Sequence, residues 1–176
     1  MDAVHRRKTI TRILEQAKAP VSAASLAKEF SVSRQIIVGD VALLRAGGLD
    51  IAATPRGYVL PREGTGLVRT VACVHPGEAM ARELEIMVDQ GCQVLDVVVE
   101  HPVYGQLTGQ LRLSSRYDVQ EFIRLVNQSN ARPLSDLTGG VHLHTLRCPD
   151  EDSYRRVLAD LEKEGILYRS EEQTQG

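Results

Sequence analysis

Four of the five histidines lie after residue 68, and three of them have spacings suited to one shared site. His142 and His144 are two residues apart in an apolar run, so on a strand both side chains would project from one face. His75 ends an earlier apolar run, and Glu83 follows it by eight residues. A polar sheet face explains the His142–His144 pair equally well when that pair is taken alone. Together, three imidazoles and a carboxylate would suit Zn, Ni, Co or Fe rather than Mg or Ca.

Glu83 is the residue that strengthens the metal hypothesis. When residues Gly77–Gln90 are placed on a helix at steps of about 100°, Glu83 falls inside the apolar arc, unlike the other acidic residues of that segment. A buried carboxylate without a partner is strongly destabilising, so Glu83 should be paired or metal-bound. Pairing with an arginine is the competing explanation.

Four further residues lie close to this pattern in the sequence. His101 opens the segment His-Pro-Val-Tyr-Gly, which contains Tyr104. Three roles for His101 remain open: a further metal ligand, a group that binds an effector, or a residue that fixes the loop. The effector role is favoured over the metal role, with Tyr104 as its companion. Cys73 and Cys148 share strand faces with His75 and His144, and both are interpreted as small buried hydrophobic residues rather than ligands.

The elements around these residues alternate between strands and helices. The predicted strands are Arg69–His75, Cys92–Glu100, Leu107–Leu113, Val141–Cys148 and a short Ile166–Tyr168, and the predicted helices are Gly77–Gln90, Arg116–Ser129 and Glu151–Glu164. The order βαββαβ, extended by αβ, predicts an α+β domain with an antiparallel sheet and helices on one face. It contains neither a Gly-rich phosphate loop nor a GxSxG motif.

The first sixty residues have a different pattern. Helices are predicted over Ala3–Lys18, Ala23–Phe30 and Arg34–Ala46, with Ser22 and Ser33 as caps and a three-residue turn between the last two. Strands over Ile51–Thr54 and Tyr58–Leu60 would form a hairpin, the wing, with Arg56 at its tip. This order predicts a winged helix-turn-helix, whose second motif helix enters the major groove of DNA.

The helix Arg34–Ala46 divides into two sides. A core side is predicted for Ile36, Ile37, Val41, Leu43 and Leu44, and the opposite side carries Gln35, Val38, Gly39 and Ala42. The predicted DNA contacts are Ser33, Arg34, Gln35, Val38 and Arg56, since Arg pairs with guanine, Gln pairs with adenine, and a wing arginine contacts phosphate. A three-helix bundle that binds protein is the alternative.

The charge distribution indicates that the two parts of the chain have different binding partners. The 176 residues carry a net charge of −2, but residues 1–60 hold nine Lys and Arg against five Asp and Glu. A basic segment before an acidic one suggests a polyanion partner for the first part. The three cysteines form no CxxC pair and are expected to be reduced thiols. No signal peptide or membrane span is apparent, so a cytoplasmic location is expected.

Several long stretches resemble a known family. They are SVSRQIIVGDVALLRAGG, ATPRGYVL, ELEIMVDQG, HPVYGQL, SSRYDVQEF and PLSDLTGGVHLHT. The chain resembles, over nearly its full length, the niacin-responsive transcriptional repressors that join a winged helix-turn-helix to a three-histidine (3H) domain. The expected limits are residues 1–61 for the DNA-binding domain, 62–68 for a linker and 69–176 for the metal- and effector-binding domain. Gly39 departs from the pattern, because a longer polar residue is commoner there.

The resemblance implies a function and a ligand set. Such repressors are dimers that bind operator DNA and silence genes of NAD synthesis or niacin uptake when nicotinic acid is present. They hold a divalent transition metal, nickel or zinc, and the family's ligands correspond to His75, Glu83, His142 and His144. His101 corresponds to the family's remaining histidine.

Two rival functions share these features. One is a repressor that responds to metal alone, without any pyridine compound. The other is a metal-dependent enzyme acting on a pyridine carboxylate or amide, for which Glu100 is the one candidate general base. A regulator without enzyme activity is predicted.

Overall fold

The computed structural model describes residues 2–62 and 64–169, which divide into two compact units within residues 1–63 and 64–176. The first unit contains helices α1 (Ala3–Gln16), α2 (Ala23–Phe30) and α3 (Arg34–Ala46), followed by strands β1 (Ala52–Thr54) and β2 (Gly57–Val59). The bounds of α2 and α3 agree with the prediction. The first helix ends two residues before the predicted Lys18, because Ala17 takes an extended conformation.

Serine hydroxyl groups cap the N-termini of α2 and α3. The side chains of Ser22 and Ser33 accept hydrogen bonds from backbone N–H groups three residues later, which satisfies donors that the first helical turn leaves open. Ser31 ends α2 in the left-handed region at φ 53°. The three-residue turn therefore positions the start of α3, as the sequence predicted.

The wing packs against the segment that joins α1 to α2. Strands β1 and β2 are antiparallel, and Tyr58 exchanges backbone hydrogen bonds with Val21 at 2.8 and 3.0 Å. Gly57, at φ +137°, approaches so closely that a Cβ atom there would lie 2.5 Å from the backbone of Val21. Only glycine fits this contact, which holds the hairpin against the rest of the unit.

The buried side of α3 is narrower than predicted. Ile37 and Val41 are buried, but Ile36 is 43% exposed and Leu43 is 58% exposed, so the prediction that both face the core is wrong. Asp40 marks the edge of the buried arc next to them. It is 4% exposed and accepts a hydrogen bond from Arg6 Nε at 2.6 Å. An ion pair with α1 therefore occupies the place where the core would otherwise extend toward Ile36 and Leu43.

Residues 64–169, the described part of the second unit, contain four strands and three α-helices. They are β3 (Leu67–Val74), α4 (Met80–Asp89), β4 (Gln93–His101), β5 (Gly105–Leu113), α5 (Arg116–Ser129), β6 (Val141–Cys148) and α6 (Glu151–Lys163), with 3₁₀ turns at Gly77–Ala79 and Leu134–Thr138. β3 begins two residues before the predicted Arg69, and the first turn of the predicted helix Gly77–Gln90 is 3₁₀ rather than α. The predicted closing strand Ile166–Tyr168 forms a single antiparallel bridge, from Leu167 to Cys73.

The sheet has the order β3-β6-β4-β5, and its neighbouring strands are antiparallel. In β6 every second residue from His142 to Cys148 is buried, as alternation on a half-covered sheet requires. The buried face packs with apolar residues of α4, α5 and α6 in one core cluster. The predicted α+β fold with an antiparallel sheet is confirmed. Within the described residues, no helix combines the length and the apolar character needed to cross a membrane.

Candidate metal centre and DNA-binding surface

The four predicted metal ligands lie together on the buried face of the sheet. His142 and His144 project from β6, His75 follows the end of β3, and Glu83 comes from α4. Glu83 is 1% exposed, and each of the three histidines is buried. The strand alternation therefore placed both β6 histidines correctly, and the helical arc placed Glu83 correctly.

The Glu83 carboxylate is the centre of this cluster. His75 Nε2 lies 2.6 Å from Glu83 Oε2, and His142 Nε2 lies 2.7 Å from Oε1. His144 Nε2 lies 3.3 Å from the same Oε1. Among the described residues, the ion-pair partners of Glu83 are thus histidines, and the alternative of an arginine partner is wrong.

Backbone carbonyls hold the outer nitrogen of each ring. The Nδ1 atoms of His75, His142 and His144 lie 2.7, 2.8 and 2.8 Å from the carbonyl oxygens of Pro76, Gly140 and Asp96. Each Nδ1 therefore carries a proton and donates it, because a carbonyl oxygen can only accept. When the rings are neutral, the Nε2 atoms that face Glu83 have a lone pair each, which is the arrangement typical of metal-bound histidines.

Gly140 contributes to this arrangement through its backbone. Its φ is +98°, in the region that favours glycine, and a Cβ atom there would lie 3.1 Å from the carbonyl oxygen of His75. A side chain at this position would push the segment before β6 away from the end of β3. The close approach keeps the Gly140 carbonyl within reach of His142 Nδ1.

Charge and burial shift the pKa values of the cluster in opposite directions. Burial alone would lower the pKa values of His75 and His144, but the Glu83 carboxylate raises both, through its hydrogen bond to His75 and its negative charge beside His144. Burial alone would raise the pKa of Glu83, but the three histidines hold it well below its ordinary value. The carboxylate is therefore ionised, and protons bind these imidazoles more tightly than they bind a free one.

The donor set fits a metal ion. Two lone pairs cannot form a hydrogen bond with each other, so each Nε2 and the carboxylate oxygen beside it need a cation between them. Protonation of all three rings would place three positive charges around one carboxylate in a buried site, which is costly. In addition, His144 Nε2 is a buried atom without a hydrogen-bond partner among the described residues. One divalent ion held by imidazole and carboxylate groups satisfies these atoms together.

Cys73 belongs to the same cluster, although the sequence interpretation treated it as a buried hydrophobic residue. Donor atoms of Cys73, Glu83 and His142 lie within 4.8 Å of one another and form a buried group that could hold a metal ion. Burial and the negative charge of Glu83 raise the pKa of the Cys73 thiol. The signal in the sequence was its position two residues before His75, on the same strand face.

The predicted effector residues lie in the β4–β5 hairpin. His101 Nδ1 accepts hydrogen bonds from the backbone N–H groups of Val103 and Tyr104 at 3.1 and 3.2 Å, and its ring contacts the Tyr104 ring at 5.1 Å. Val103 and Tyr104 are 79% and 75% exposed. These contacts fit the loop-fixing role for His101, and its effector-binding role stays a prediction.

An open groove adjoins the histidine cluster. It has a volume of about 770 Å³ and lies beside His75, between β3 and the segment before β6. Its lining residues are Val74, His75, Pro76, Arg132, Asp136, Gly139 and Gly140. Arg132 and Asp136 place one positive and one negative side chain along it, and the sequence interpretation identified neither residue.

Four of the five predicted DNA contacts are exposed on the first unit, and the fifth, Arg56, is half-buried. Ser33, Arg34, Gln35 and Val38 are exposed at the start of α3, and Arg56 lies in the turn between β1 and β2. No atom lies within 4 Å of a Cβ built on Gly39, so packing inside the chain does not require glycine there. The surface of α3 is therefore open around Gly39, which suits close approach of the helix to base edges.

Comparisons with known proteins agree with this arrangement. The family described as the 3H domain matches residues 68–170, and the family described as the HTH domain matches residues 6–59. The chain is 49% identical to a protein named "Probable transcription repressor NiaR" from Thermotoga maritima, over 92% of this chain and 93% of that protein. It is 42% identical to "Transcription repressor NadR" from Bacillus subtilis, over 94% of each.

The chain belongs to the NiaR/NadR family of transcription repressors. This membership confirms the resemblance seen in the sequence, and it makes the protein a DNA-binding regulator rather than an enzyme. The rival prediction of a metal-dependent enzyme is accordingly not supported. The roles of individual residues in this repressor, including the four predicted metal ligands and the five predicted DNA contacts, stay predictions.

Proposed function

We propose that this repressor silences genes of NAD synthesis or niacin uptake, with nicotinic acid as co-repressor and one divalent transition metal per chain as part of the sensor. The observation that carries the proposal is the buried Glu83 carboxylate with three histidine Nε2 atoms directed at it. Such a cluster has little value to a DNA-binding domain alone. The cluster suits a sensor in which the bound metal ion also binds a small ligand.

The metal is held by His75, Glu83, His142 and His144, and nickel or zinc suits their nitrogen and oxygen atoms. When bound, the ion supplies Lewis acidity and positions for ligand atoms besides those of the protein. The carbonyls of Pro76, Gly140 and Asp96 keep the three rings oriented. Because the rings are fixed before binding, the site loses little freedom when it takes up the ion.

Nicotinic acid would enter through the groove beside His75. A pyridine carboxylate is small, flat and anionic, and the groove of about 770 Å³ can contain it. Arg132 offers its carboxylate a charge-assisted hydrogen bond. Neither His101 nor Tyr104 is among the lining residues of this groove. Their predicted effector role would therefore place the ligand at a different position, on the β4–β5 hairpin.

The switch must act through the geometry of a dimer. Two copies of α3 read successive major grooves when they lie about 34 Å apart. Nicotinic acid can favour that arrangement only if it binds the DNA-competent state more tightly than the other state. Arg34, Gln35 and Val38 would then contact bases, while Ser33 and Arg56 contact phosphates.

Operator binding measured with and without nicotinic acid tests the proposal. The full chain is loaded with one equivalent of Zn²⁺ or Ni²⁺ and mixed, at one stated salt concentration, with DNA that it has selected from a random-sequence pool. Nicotinic acid should tighten binding, and nicotinamide serves as the matched uncharged ligand. Unchanged affinity on addition of nicotinic acid would contradict the proposal.

The same assay separates the metal-responsive rival. Removal of the ion by a chelator should abolish the response to nicotinic acid in our proposal. If the metal alone restores full operator affinity, and nicotinic acid adds nothing, the protein is a metal-responsive repressor. Light scattering of the loaded chain in the presence of nicotinic acid tests the dimer.

A further inference from the structure

Cys73 places a sulfur atom inside the candidate metal centre. It lies directly opposite His142 in the register of β3 and β6, and it is fully buried. Residues paired in this way have Cβ atoms about 4.5–5.5 Å apart and share one face of the sheet. His75 follows two residues later in the chain, so Cys73 has one candidate ligand across the strand pair and another close by in the sequence.

The compact part of the donor set includes this sulfur. Among the described residues, the group whose donor atoms all lie within 4.8 Å of one another consists of Cys73, Glu83 and His142. His75 and His144 are outside that group, although each directs Nε2 at a Glu83 oxygen. An ion beside Oε1 of Glu83 and Nε2 of His142 would thus have the Cys73 thiol close by.

A buried cysteine alone would signify little, since cysteine often serves as a small hydrophobic residue. The independent observation is His144 Nε2, a buried atom that faces the same carboxylate and has no hydrogen-bond partner in the described part of the chain. The site therefore holds, near the Glu83 carboxylate, both a buried nitrogen without a hydrogen bond and a buried thiol. One ion accounts for both.

We infer that Cys73 is a further metal ligand of this repressor, and that the ion is bound by sulfur as well as nitrogen and oxygen. This inference rests on the metal centre of the proposed function. On binding, the S–H bond breaks, a metal–sulfur bond forms, and the proton passes to solvent. A thiolate favours Zn²⁺, Co²⁺ and Ni²⁺ over Mn²⁺ and excludes Mg²⁺. The competing role is a thiol that donates to Glu83 and never contacts the ion.

Co²⁺ absorption tests the inference without any substitution. The metal-free full chain is titrated with Co²⁺, which gives visible bands on binding and an additional near-ultraviolet sulfur-to-cobalt band only when a thiolate is a ligand. We expect both sets of bands to saturate together at one Co²⁺ per chain. Visible bands without the sulfur band would overturn the role of Cys73 and leave the metal centre intact. Absence of all bands would overturn the metal centre as well.

Two variants then test whether the sulfur-to-cobalt band comes from Cys73. In Cys73→Ala the sulfur band should disappear while the visible bands remain, and in Cys92→Ala, a buried cysteine elsewhere in the unit, it should persist. Persistence of the band in Cys73→Ala would overturn the inference. Circular dichroism checks the fold of both variants. Competition with a chelator should show Zn²⁺ affinity lowered at least about tenfold in Cys73→Ala and unchanged in Cys92→Ala.

Discussion

Asp96 connects β4 to His144 through its backbone, since its carbonyl oxygen accepts a hydrogen bond from His144 Nδ1 at 2.8 Å. Its side chain also contacts β6, where Oδ1 accepts from the backbone N–H of Thr145 at 3.1 Å. The register of β4 shifts between Val94 and Asp96 relative to both neighbouring strands. Such a bulge re-aims the backbone locally, and here it directs a carbonyl at the ring of a candidate ligand.

Replacement of Asp96 should therefore weaken the metal site indirectly. Asp96→Ala removes the acceptor for Thr145 N–H and frees the bulge that orients His144. We expect Zn²⁺ affinity to fall by about tenfold, within the range for groups that orient metal ligands. Asp96→Asn keeps an oxygen that can accept the same hydrogen bond and should restore most of the affinity. Equal losses in both variants would show that the carboxylate charge, rather than the bulge, matters.

Glu83 should have a much larger effect than its neighbour on the same helix. Glu83→Gln keeps the shape of the side chain but removes the charge that offsets the metal ion, so Zn²⁺ affinity should fall by more than about 100-fold. Glu85→Gln is the matched control, because Glu85 is more exposed and forms an ion pair with Arg116. Titration against a chelator measures both. Similar affinities for the two variants would contradict the assignment of Glu83 as a ligand.

Metal binding should weaken as the pH falls. A histidine binds metal only when Nε2 has lost its proton, and Glu83 raises the pKa values of His75 and His144 above the ordinary 6.5. Protons therefore compete from a pH above 6.5 downward, whereas Glu83, whose pKa is lowered, remains ionised throughout. Zn²⁺ affinity is measured from roughly pH 8 to pH 5.5. It should begin to decline at a pH above the pKa of an unperturbed histidine. A constant affinity down to pH 6.5 would contradict this prediction.

The sequence predicts well, for local reasons, the helices of the first unit and the proximity of Glu83 to the three histidines. Ser22 and Ser33 are strong caps, and alternation in β6 requires that His142 and His144 share a face. Ile36 and Leu43 were misassigned because a helical wheel shows an apolar arc but not which part of it has a tertiary partner. The role of Asp40 depends on Arg6, more than thirty residues earlier, and periodicity within α3 carries no information about that contact.

Cys73 and Arg132 were missed for a related reason. Cys73 looks like any small core residue until the register of β3 and β6 places it opposite His142. Arg132 lies in an irregular segment, and its position beside His75 follows from how that segment returns to the sheet. Neither relationship is local in the sequence. Long-range strand pairing, rather than composition, determines which residues border the centre.

The two arginines of the DNA-binding unit should differ in what they contribute. Arg34→Ala removes a contact to base edges at the start of α3 and should cost about 1–3 kcal/mol on the selected operator, with less effect on unrelated DNA. Arg56→Ala removes a phosphate contact, so it should weaken binding to both DNAs alike. The slope of log affinity against log salt concentration should fall by about one. Arg12→Ala, exposed on α1, is the control. Affinity titrations at several salt concentrations distinguish the two patterns, and identical patterns would contradict the assignment.

Arg132 should determine the response to nicotinic acid without affecting the metal. Arg132→Ala removes a charge-assisted hydrogen bond worth about 1.5–3 kcal/mol, so the nicotinic acid concentration for half-maximal operator binding should rise by about 10- to 150-fold. Zn²⁺ affinity should stay unchanged, because Arg132 lines the groove but belongs outside the histidine cluster. Arg124→Ala is the matched control, since Arg124 lies on α5 and pairs with Glu121.

The same titration decides between the groove and the hairpin as the position of the effector. If nicotinic acid lies in the groove, His101→Ala and Tyr104→Ala should respond like the unaltered chain, provided that the β4–β5 turn keeps its fold. If it lies on the hairpin, those variants should lose the response while Arg132→Ala retains it. Nicotinamide, which lacks the carboxylate charge, provides a further check on the groove. Arg132→Ala should lower the discrimination between acid and amide, because the lost interaction is specific to the anion.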